Sequence, residues 1–370
     1  MASRVLVAGG GTGGHAIPAI AIAEAIQRFD RSTEFLFVGT ERGVESRVVP
    51  KAGFGLTQIS VISLSRSLSP SLIRFPFVLL KGLAESLLVI RRFRPDLTLC
   101  TGGYVSGPVG IASTLLRVPL ALHDSNVLPG ITLRVLSRFA DLVLLGFAEA
   151  GRKMGGRRVA TVGNPTRIPS AKVTAAEARQ QFGLSADRKT LLIVGGSQGA
   201  RSINDAVADA LPKLTGQGYQ VLWQTGALDH DGMAKIAEPF GSRVQTVAFV
   251  DDMPAAYAAT DLAVTRAGAM TIAELNLFGV PAVLVPLATA SENHQEVNAR
   301  RMEQAGWARM ILQRDIDGER LSRVIAELSA DPNRLTEMAE LSASRATGNA
   351  SDEIVTTLTS SRLLRVRCDE

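Results

Sequence analysis

Short apolar runs, each closed by a glycine-rich or polar break and followed by a helix-like stretch, recur along the whole chain. In the first half they are Val5–Ala8, Glu34–Val38, Leu97–Thr101, Leu120–His123 and Leu142–Leu145, with Val159–Gly163 ending the series. Short continuous apolar runs fit strands buried on both faces, and their alternation with helices predicts a parallel sheet. A helical pattern starts at Pro18, with Ile17, Ile20 and Ala21 on one side, and another covers Val44–Ala52. Residues 168–188 read as a linker with a short helix. The pattern then restarts with a strand at Thr190–Val194, a helix at Ser202–Leu214, and strands at Gln220–Gln224, Val244–Val250, Leu262–Thr265 and Ala282–Val285. A last helical stretch, 349–364, is expected to cross back to the first half. The prediction is two Rossmann-like, doubly wound parallel-sheet α/β domains facing a cleft: residues 1–164, residues 165–345, and a C-terminal helix within 346–370 that packs on the first.

Residues Ile62–Arg94 break the rhythm. Leu79, Leu83, Leu87 and Ile90 fall at helical spacing and read as a core stripe. Phe75 and Phe77 flank Pro76 in what reads as a loop, with Arg66, Arg74 and Lys81 nearby. Apolar side chains beside cations suit an interfacial membrane contact, and Phe75, Phe77, Leu79 and Lys81 are its candidates. Lys81 and Glu85 inside the run argue against a spanning helix, and no other segment reaches the roughly 18 apolar residues a span needs.

Composition narrows the class. The 370 residues are 46% hydrophobic and 20% charged, as in globular proteins, and suffice for two domains. Two cysteines, Cys100 and Cys368, cannot make a disulfide framework; with four histidines they also make a metal cage an unpromising reading. No signal peptide precedes the first strand, and a reducing cytoplasm is expected. The net charge of +5 favours acidic partners, but 5% aromatics with no basic–aromatic alternation turns the reading from nucleic acid towards acidic lipid and phosphorylated substrate.

Candidate chemistry sits at the breaks. Residues 9–14 carry five glycines, and Gly9-x-Gly11-x-x-Gly14 fits the dinucleotide fingerprint. Glycines admit an anion close to the backbone, and the following helix offers unpaired N–H groups. His15, at that helix start, is either a cap or surface histidine or a base kept neutral by the helix dipole. His123-Asp124 is a rival base site or a structural pair. The second glycine loop, Gly195–Ala200, sets the Ser197 hydroxyl and several N–H groups at a helix start and suits a diphosphate better. Thr265–Glu274 follows a strand and opens a helix; Glu274 can accept from vicinal ribose hydroxyls or be an ordinary first-turn acid. Polar residues from Ser291 to Asn298 suit sugar hydroxyls or a solvated helix start.

Five stretches occur together and in order: Gly10–His15, Gly102–Pro108, Gly163-Asn164-Pro165-x-Arg167, Gly195–Ala200 and Arg266–Glu274. In this combination the chain resembles the MurG family, the bacterial N-acetylglucosaminyltransferases of peptidoglycan synthesis in glycosyltransferase family 28, over nearly its whole length. The resemblance implies the GT-B fold and inverting transfer of N-acetylglucosamine from UDP-N-acetylglucosamine to the muramoyl C4 hydroxyl of lipid I, forming lipid II. By position it implies donor contacts from Thr12, Gly13, Gly14, Asn126 and Arg167. Ser197 would meet the diphosphate and the Val250 backbone the uracil; Ala269, Met270, Thr271 and Glu274 would line the nucleotide, with Gln295 on the sugar. It also implies no metal or other cofactor, a peripheral position on the cytoplasmic face of the inner membrane, an anionic membrane surface and other cell-wall synthesis proteins as partners, and roles in cell shape and division. Three positions depart: Asp124 stands where the family commonly has glutamate, Ala267 where serine is frequent, and Ala288–Asn293 aligns loosely.

Three other readings compete. A UDP-N-acetylglucosamine 2-epimerase would share the fold, but needs more acids in the cleft and no lipid-facing patch. An NAD-dependent oxidoreductase would use Gly9–Gly14, with Glu41 as its ribose acid; the second glycine loop argues against it. A non-catalytic membrane-surface module would leave the glycine loops without a purpose.

Overall fold

The computed structural model describes residues 3–62, 71–166, 173–196, 198–290, 293–331, 333–346 and 350–365. It divides into two compact units, Met1–Arg167 with Asn349–Glu370, and Ile168–Gly348.

The first unit runs β1 (Arg4–Gly9), α1 (Gly13–Phe29), β2 (Glu34–Gly39), α2 (Glu45–Lys51), β3 (Gly55–Gln58), α3 (Ser71–Phe93), β4 (Leu97–Gly102), α4 (Ser106–Leu115), β5 (Leu120–Asp124), α5 (Ile131–Leu136), β6 (Leu142–Leu145) and β7 (Val159–Thr161). All seven strands are parallel, in the order β3-β2-β1-β4-β5-β6-β7. Side chains alternate between the two faces. Val5, Val7, Leu97 and Leu99 share one core with Ala19, Ile22 and Ile26 of α1, whereas Leu6, Ala8, Cys100 and Leu122 share another with Ile90 of α3, Val109 of α4 and Leu133 of α5. The sheet is therefore covered on both sides, which explains why its strands read as unbroken apolar runs.

The second unit runs α6 (Ala175–Gln181), β8 (Thr190–Val194), α7 (Arg201–Gly216), β9 (Gln220–Gln224), α8 (His230–Ala237), β10 (Val244–Val247), α9 (Met253–Ala258), β11 (Leu262–Thr265), α10 (Ala269–Phe278), β12 (Ala282–Leu284), α11 (His294–Gln304), β13 (Ala308–Met310), α12 (Gly318–Ser329) and α13 (Arg334–Ala343). Its sheet is also parallel, in the order β10-β9-β8-β11-β12-β13. Leu191 and Ile193 pack with α7 and α12, while Leu192, Leu222 and Ala263 point the other way and are equally buried. This is the two-sheet α/β class expected of the chain. The last helix, α14 (Ala350–Ser360), belongs to the first unit: Ile354, Val355 and Leu358 enter the core shared by β1 and α1.

Four local readings change. α1 starts at Gly13, five residues before Pro18, so His15 lies in its first turn. Pro18 gives up only the bond that would return to Gly14, near the exposed helix start. Pro76 likewise lies within α3 and not in a loop; its fixed φ is helical, and near a helix start one missing bond is tolerable. Ile90 is buried and Leu83 and Leu87 are half-buried against the core, but Leu79 is exposed. β10 stops at Val247, where its partner β9 ends at Gln224, and Val250 N–H donates to the Gln224 side chain instead of to a strand.

Candidate active site

In a doubly wound sheet the strand order reverses once, and the loops leaving the two strands at that point part to form a crevice at their carboxyl ends. Here the reversal falls between β1 and β4 in the first unit and between β8 and β11 in the second. The four loops there are Gly10–Thr12, Gly103–Val105, Gly195–Ala200 and Arg266–Gly268. Four of the chemistry-bearing stretches thus lie at the two switch points; His123–Asn126 lies at the end of β5, Gly163-Asn164 follows the edge strand β7, and His294–Asn298 comes after β12.

In the first unit, Thr12 is the exposed N-cap of α1, its side chain making no capping bond; Gly13 and Gly14 follow as the first helical residues. His15 Nδ1 lies 3.0 Å from the Thr101 carbonyl, and the Thr101 hydroxyl donates to the His15 carbonyl at 2.8 Å. A carbonyl only accepts, so Nδ1 carries a proton, and whenever the ring is neutral Nε2 is its basic nitrogen. The ring packs on Gly102 and Gly103, both with positive φ; a Cβ at Gly102 would come within 2.6 Å of His15 Nδ1. Backbone conformation and ring contact both call for glycine there.

One strand over, Asp124 is buried and accepts from the N–H groups of Asn126 (2.9 Å) and Gly130 (3.0 Å). Burial pushes its carboxyl up to about 6, although these bonds pull the other way. Its work is to shape the loop that carries Asn126. His123 is fully buried, with Nε2 donating to the Gly163 carbonyl at 3.2 Å, and burial lowers its pKa to about 4. This enclosure takes His123 out of contention as a base. Cys100 is likewise buried, and its thiol is pushed up to about 12.

In the second unit the glycine loop folds tightly on itself, a Cβ at Gly195 coming 2.5 Å from the Ala200 nitrogen, and lies against the end of β9, where one at Gly199 would come 2.8 Å from the Thr225 carbonyl carbon. Gln224 joins two predicted contacts: its Nε2 donates to the Gly196 carbonyl at 2.8 Å, and its Oε1 accepts from Val250 N–H at 3.1 Å. The Val250 N–H is thus engaged within the unit. Arg266 reaches across the switch point, donating to the Val285 carbonyl (3.2 Å), Gln313 Oε1 (2.9 Å) and the Ser202 hydroxyl (3.4 Å) at the start of α7. These acceptors are neutral; burial lowers its pKa, and among the described residues no carboxylate pairs with it. A half-buried cation there suits an anionic ligand.

Ala269 and Met270 open α10 in buried positions, followed by Thr271. Glu274 is in the second turn, not the first, and accepts from the hydroxyl of buried Tyr257 at 2.9 Å. Burial lifts the Glu274 carboxyl to about 7 despite that bond, and the Tyr257 pKa is raised by its own burial and by Glu274. Nothing in the sequence singles out Tyr257; its place near the end of the short apolar helix α9 gives no hint of the acid it meets. The later polar cluster is mostly engaged within the protein: Gln295 Oε1 accepts from Leu287 N–H at 3.0 Å, Asn293 donates to Glu296 at 2.8 Å and Asn298 to the Ala267 carbonyl at 3.2 Å. Arg167 and Ser197 lie outside the described residues.

On α3, Phe77 is 73% and Leu80 64% exposed, Leu79 less so, and Lys81 pairs with Glu85 at 3.7 Å. The side chain of Phe75 lies outside the described residues. Among the described residues no helix is long and apolar enough to cross a membrane.

Residues 5–145 match the glycosyltransferase family 28 N-terminal domain and residues 190–354 the glycosyltransferase family 28 C-terminal domain. The chain belongs to glycosyltransferase family 28 and is a glycosyltransferase. It is 38% identical over 354 residues (95% of this chain, 96% of the relative) to a protein of Acetivibrio thermocellus named UDP-N-acetylglucosamine–N-acetylmuramyl-(pentapeptide) pyrophosphoryl-undecaprenol N-acetylglucosamine transferase. A protein of the same name from Desulfitobacterium hafniense is 39% identical over 359 residues, covering 95% of this chain and 97% of that one. Among solved structures, Acinetobacter baumannii MurG superposes with a TM-score of 0.75 at 27% identity, covering 97% of this chain and 99% of its own.

Proposed function

We propose that this chain transfers N-acetylglucosamine from UDP-N-acetylglucosamine to the C4 hydroxyl of the muramoyl residue of lipid I, giving lipid II with inversion. The observation that carries the reading is end-to-end: 38–39% identity to transferases of that name, with a glycine loop at the switch point of each sheet. The second unit takes the donor. Glu274 accepts from the ribose hydroxyls, the Val250 carbonyl from uracil N3–H, and Ala269, Met270 and Thr271 line the nucleotide. Ser197, the α7 N-terminus and Arg266 meet the diphosphate, and Gln295 contacts the sugar. Thr12, Gly13, Gly14, Asn126 and Arg167 complete the contacts to the donor.

The step is a single displacement. His15 Nε2 removes the proton of the acceptor C4 hydroxyl as its oxygen bonds to the anomeric carbon, while the bond from that carbon to the diphosphate breaks and UDP departs from the opposite face. A nucleoside diphosphate leaves readily, so orientation and stabilisation of the departing charge are the main tasks. Fixed N–H dipoles and the Arg266 guanidinium supply the latter. Exposed Phe77, Leu79 and Leu80, with Lys81 beside them, hold the first unit against an anionic membrane surface on its cytoplasmic face.

Titrating the protein with UDP-N-acetylglucosamine and with NADH by calorimetry separates this reading from the oxidoreductase one: the transferase binds the first and not the second. A binding isotherm for NADH alone would reverse the assignment. Incubation with UDP-N-acetylglucosamine alone separates it from the epimerase, since only an epimerase makes the 2-epimer.

A further inference from the structure

The first glycine loop already holds an anion, one supplied by the chain. Glu45 opens α2 and is fully buried. Its Oε2 accepts from Gly11 N–H at 2.8 Å; its Oε1 accepts from Thr40 N–H at 2.9 Å and from the Thr40 hydroxyl at 2.8 Å. Among the described residues no lysine or arginine pairs with it. The space it fills is made by three glycines from three segments. A Cβ at Gly10 would come 2.6 Å from the carboxyl carbon, one at Gly39 2.5 Å from Cγ, and one at Gly43 closer still to both oxygens. A buried carboxylate satisfied by two N–H groups and a hydroxyl, in a cradle no other residue type would leave open, is a built arrangement.

Its reach extends to the base assigned above. Gly11 is followed by Thr12, whose carbonyl accepts the first bonds of α1, from His15 and Ala16. The loop is pinned by Glu45 on one side and by Thr101 and the Tyr104 ring, which lies over Gly11, on the other. Resting on the function proposed above, we propose that Glu45 is a positioning residue of the acceptor half-site: its carboxylate is the resident anion of the first glycine loop, fixes the α1 start that carries His15, and leaves the donor diphosphate to the second loop. A fixed negative charge beneath Gly11 also disfavours a second anion at that N–H group, although glycine spacing alone makes the two loops look alike.

The test uses the full chain with Glu45→Gln, Glu45→Asp and Gly43→Ala. Glutamine keeps the shape but brings one acceptor oxygen and one NH2 to donors on both sides; aspartate keeps the charge but falls a methylene short of Gly11; the alanine methyl displaces an unchanged carboxylate. In each variant kcat for transfer to a soluble lipid I analogue is expected to fall by about 10²-fold, as for a reacting group misplaced by about 1 Å. The calorimetric Kd for UDP-N-acetylglucosamine should weaken far less than kcat falls, by at most about tenfold, since the second unit carries most donor contacts and Thr12, Gly13 and Gly14 only some of them. The 15N resonances of His15, assigned by comparison with His15→Gln, should show a protonated Nδ1 in the wild type and lose that pattern in the variants. A folded Glu45→Gln or Gly43→Ala protein with wild-type kcat and an unchanged His15 spectrum would overturn the proposal while leaving the transferase reading intact. If the wild type itself transfers no sugar, the function is wrong, and the His15 spectra still decide whether Glu45 sets that ring.

Discussion

His15 and Thr101 exchange two hydrogen bonds, Nδ1 to the Thr101 carbonyl at 3.0 Å and the Thr101 hydroxyl to the His15 carbonyl at 2.8 Å. A strand end and a helix start 86 residues apart are thereby locked together, and the tautomer of the imidazole is set. If Nε2 is the base, His15→Ala should lower turnover about 10²–10⁴-fold while donor binding is retained. Steady-state rates with a lipid I analogue, alongside calorimetry with UDP-N-acetylglucosamine, check this. A loss below about tenfold with binding intact would remove the base role.

Glu274 gives a pH dependence whose sign can be worked out. Burial raises its pKa from 4.5 to about 7, so the folded state holds the proton more tightly than the unfolded one. Its contribution to stability is therefore greatest below pH 4.5 and is lost as pH rises through about 7. Donor binding runs the other way, because the ionised carboxylate is the better acceptor for ribose hydroxyls. Affinity for UDP-N-acetylglucosamine, whose phosphates do not titrate in this range, should be about tenfold weaker at pH 6 than at pH 8. Glu274→Gln should flatten the profile, and a wild-type profile flat from pH 5.5 to 8 would contradict the ribose role.

Tyr257 should move that profile. Its hydroxyl stabilises the ionised Glu274, so Tyr257→Phe should shift the midpoint of donor binding upward, by roughly one unit at most. The variant should also lose about 1–3 kcal/mol of stability, because a buried carboxylate oxygen is left without its donor. Titrations at several pH values and denaturant melts measure the two effects separately.

Much of the fold could be read from the sequence because both sheets are covered on two faces. Strands such as Leu142–Leu145 must then be apolar throughout, and each glycine break marks a carboxyl edge. The tail reads as helical over 349–364, and in the structure Ile354, Val355 and Leu358 of α14 are its buried face. What escaped were short edge strands, Gly55–Gln58 and Ala308–Met310, whose few side chains are mixed in polarity. The proline-containing starts of α1 and α3 escaped too, since tertiary packing outweighs one lost bond. The glycine loops were found, but not the carboxylate that sits against the first of them. Nothing in the sequence marks Glu45, and only the packing of Gly10, Gly39 and Gly43 around it reveals a buried carboxylate. The Tyr257–Glu274 pair spans two helices and carries no local pattern.

The C-terminal helix offers a stability test of the first unit. Leu358 is fully buried in the core of β1 and α1. Leu358→Ala should cost about 2–5 kcal/mol in denaturant unfolding, and a cost within experimental error of zero would mean that the helix does not pack there in solution.

At the membrane, Phe77→Ser combined with Leu80→Ser should weaken pelleting with vesicles of phosphatidylglycerol while leaving circular dichroism and donor binding unchanged. Raising the salt concentration should weaken it further if nearby cations contribute. Unchanged pelleting would assign both side chains to some other contact.

The most direct test of the central claim is transfer itself. With labelled UDP-N-acetylglucosamine and a lipid I analogue, the wild-type chain should release UDP and add one β-linked N-acetylglucosamine to the muramoyl C4 hydroxyl. Absence of that product under conditions where the donor binds, or retention of configuration at the transferred carbon, would contradict the account.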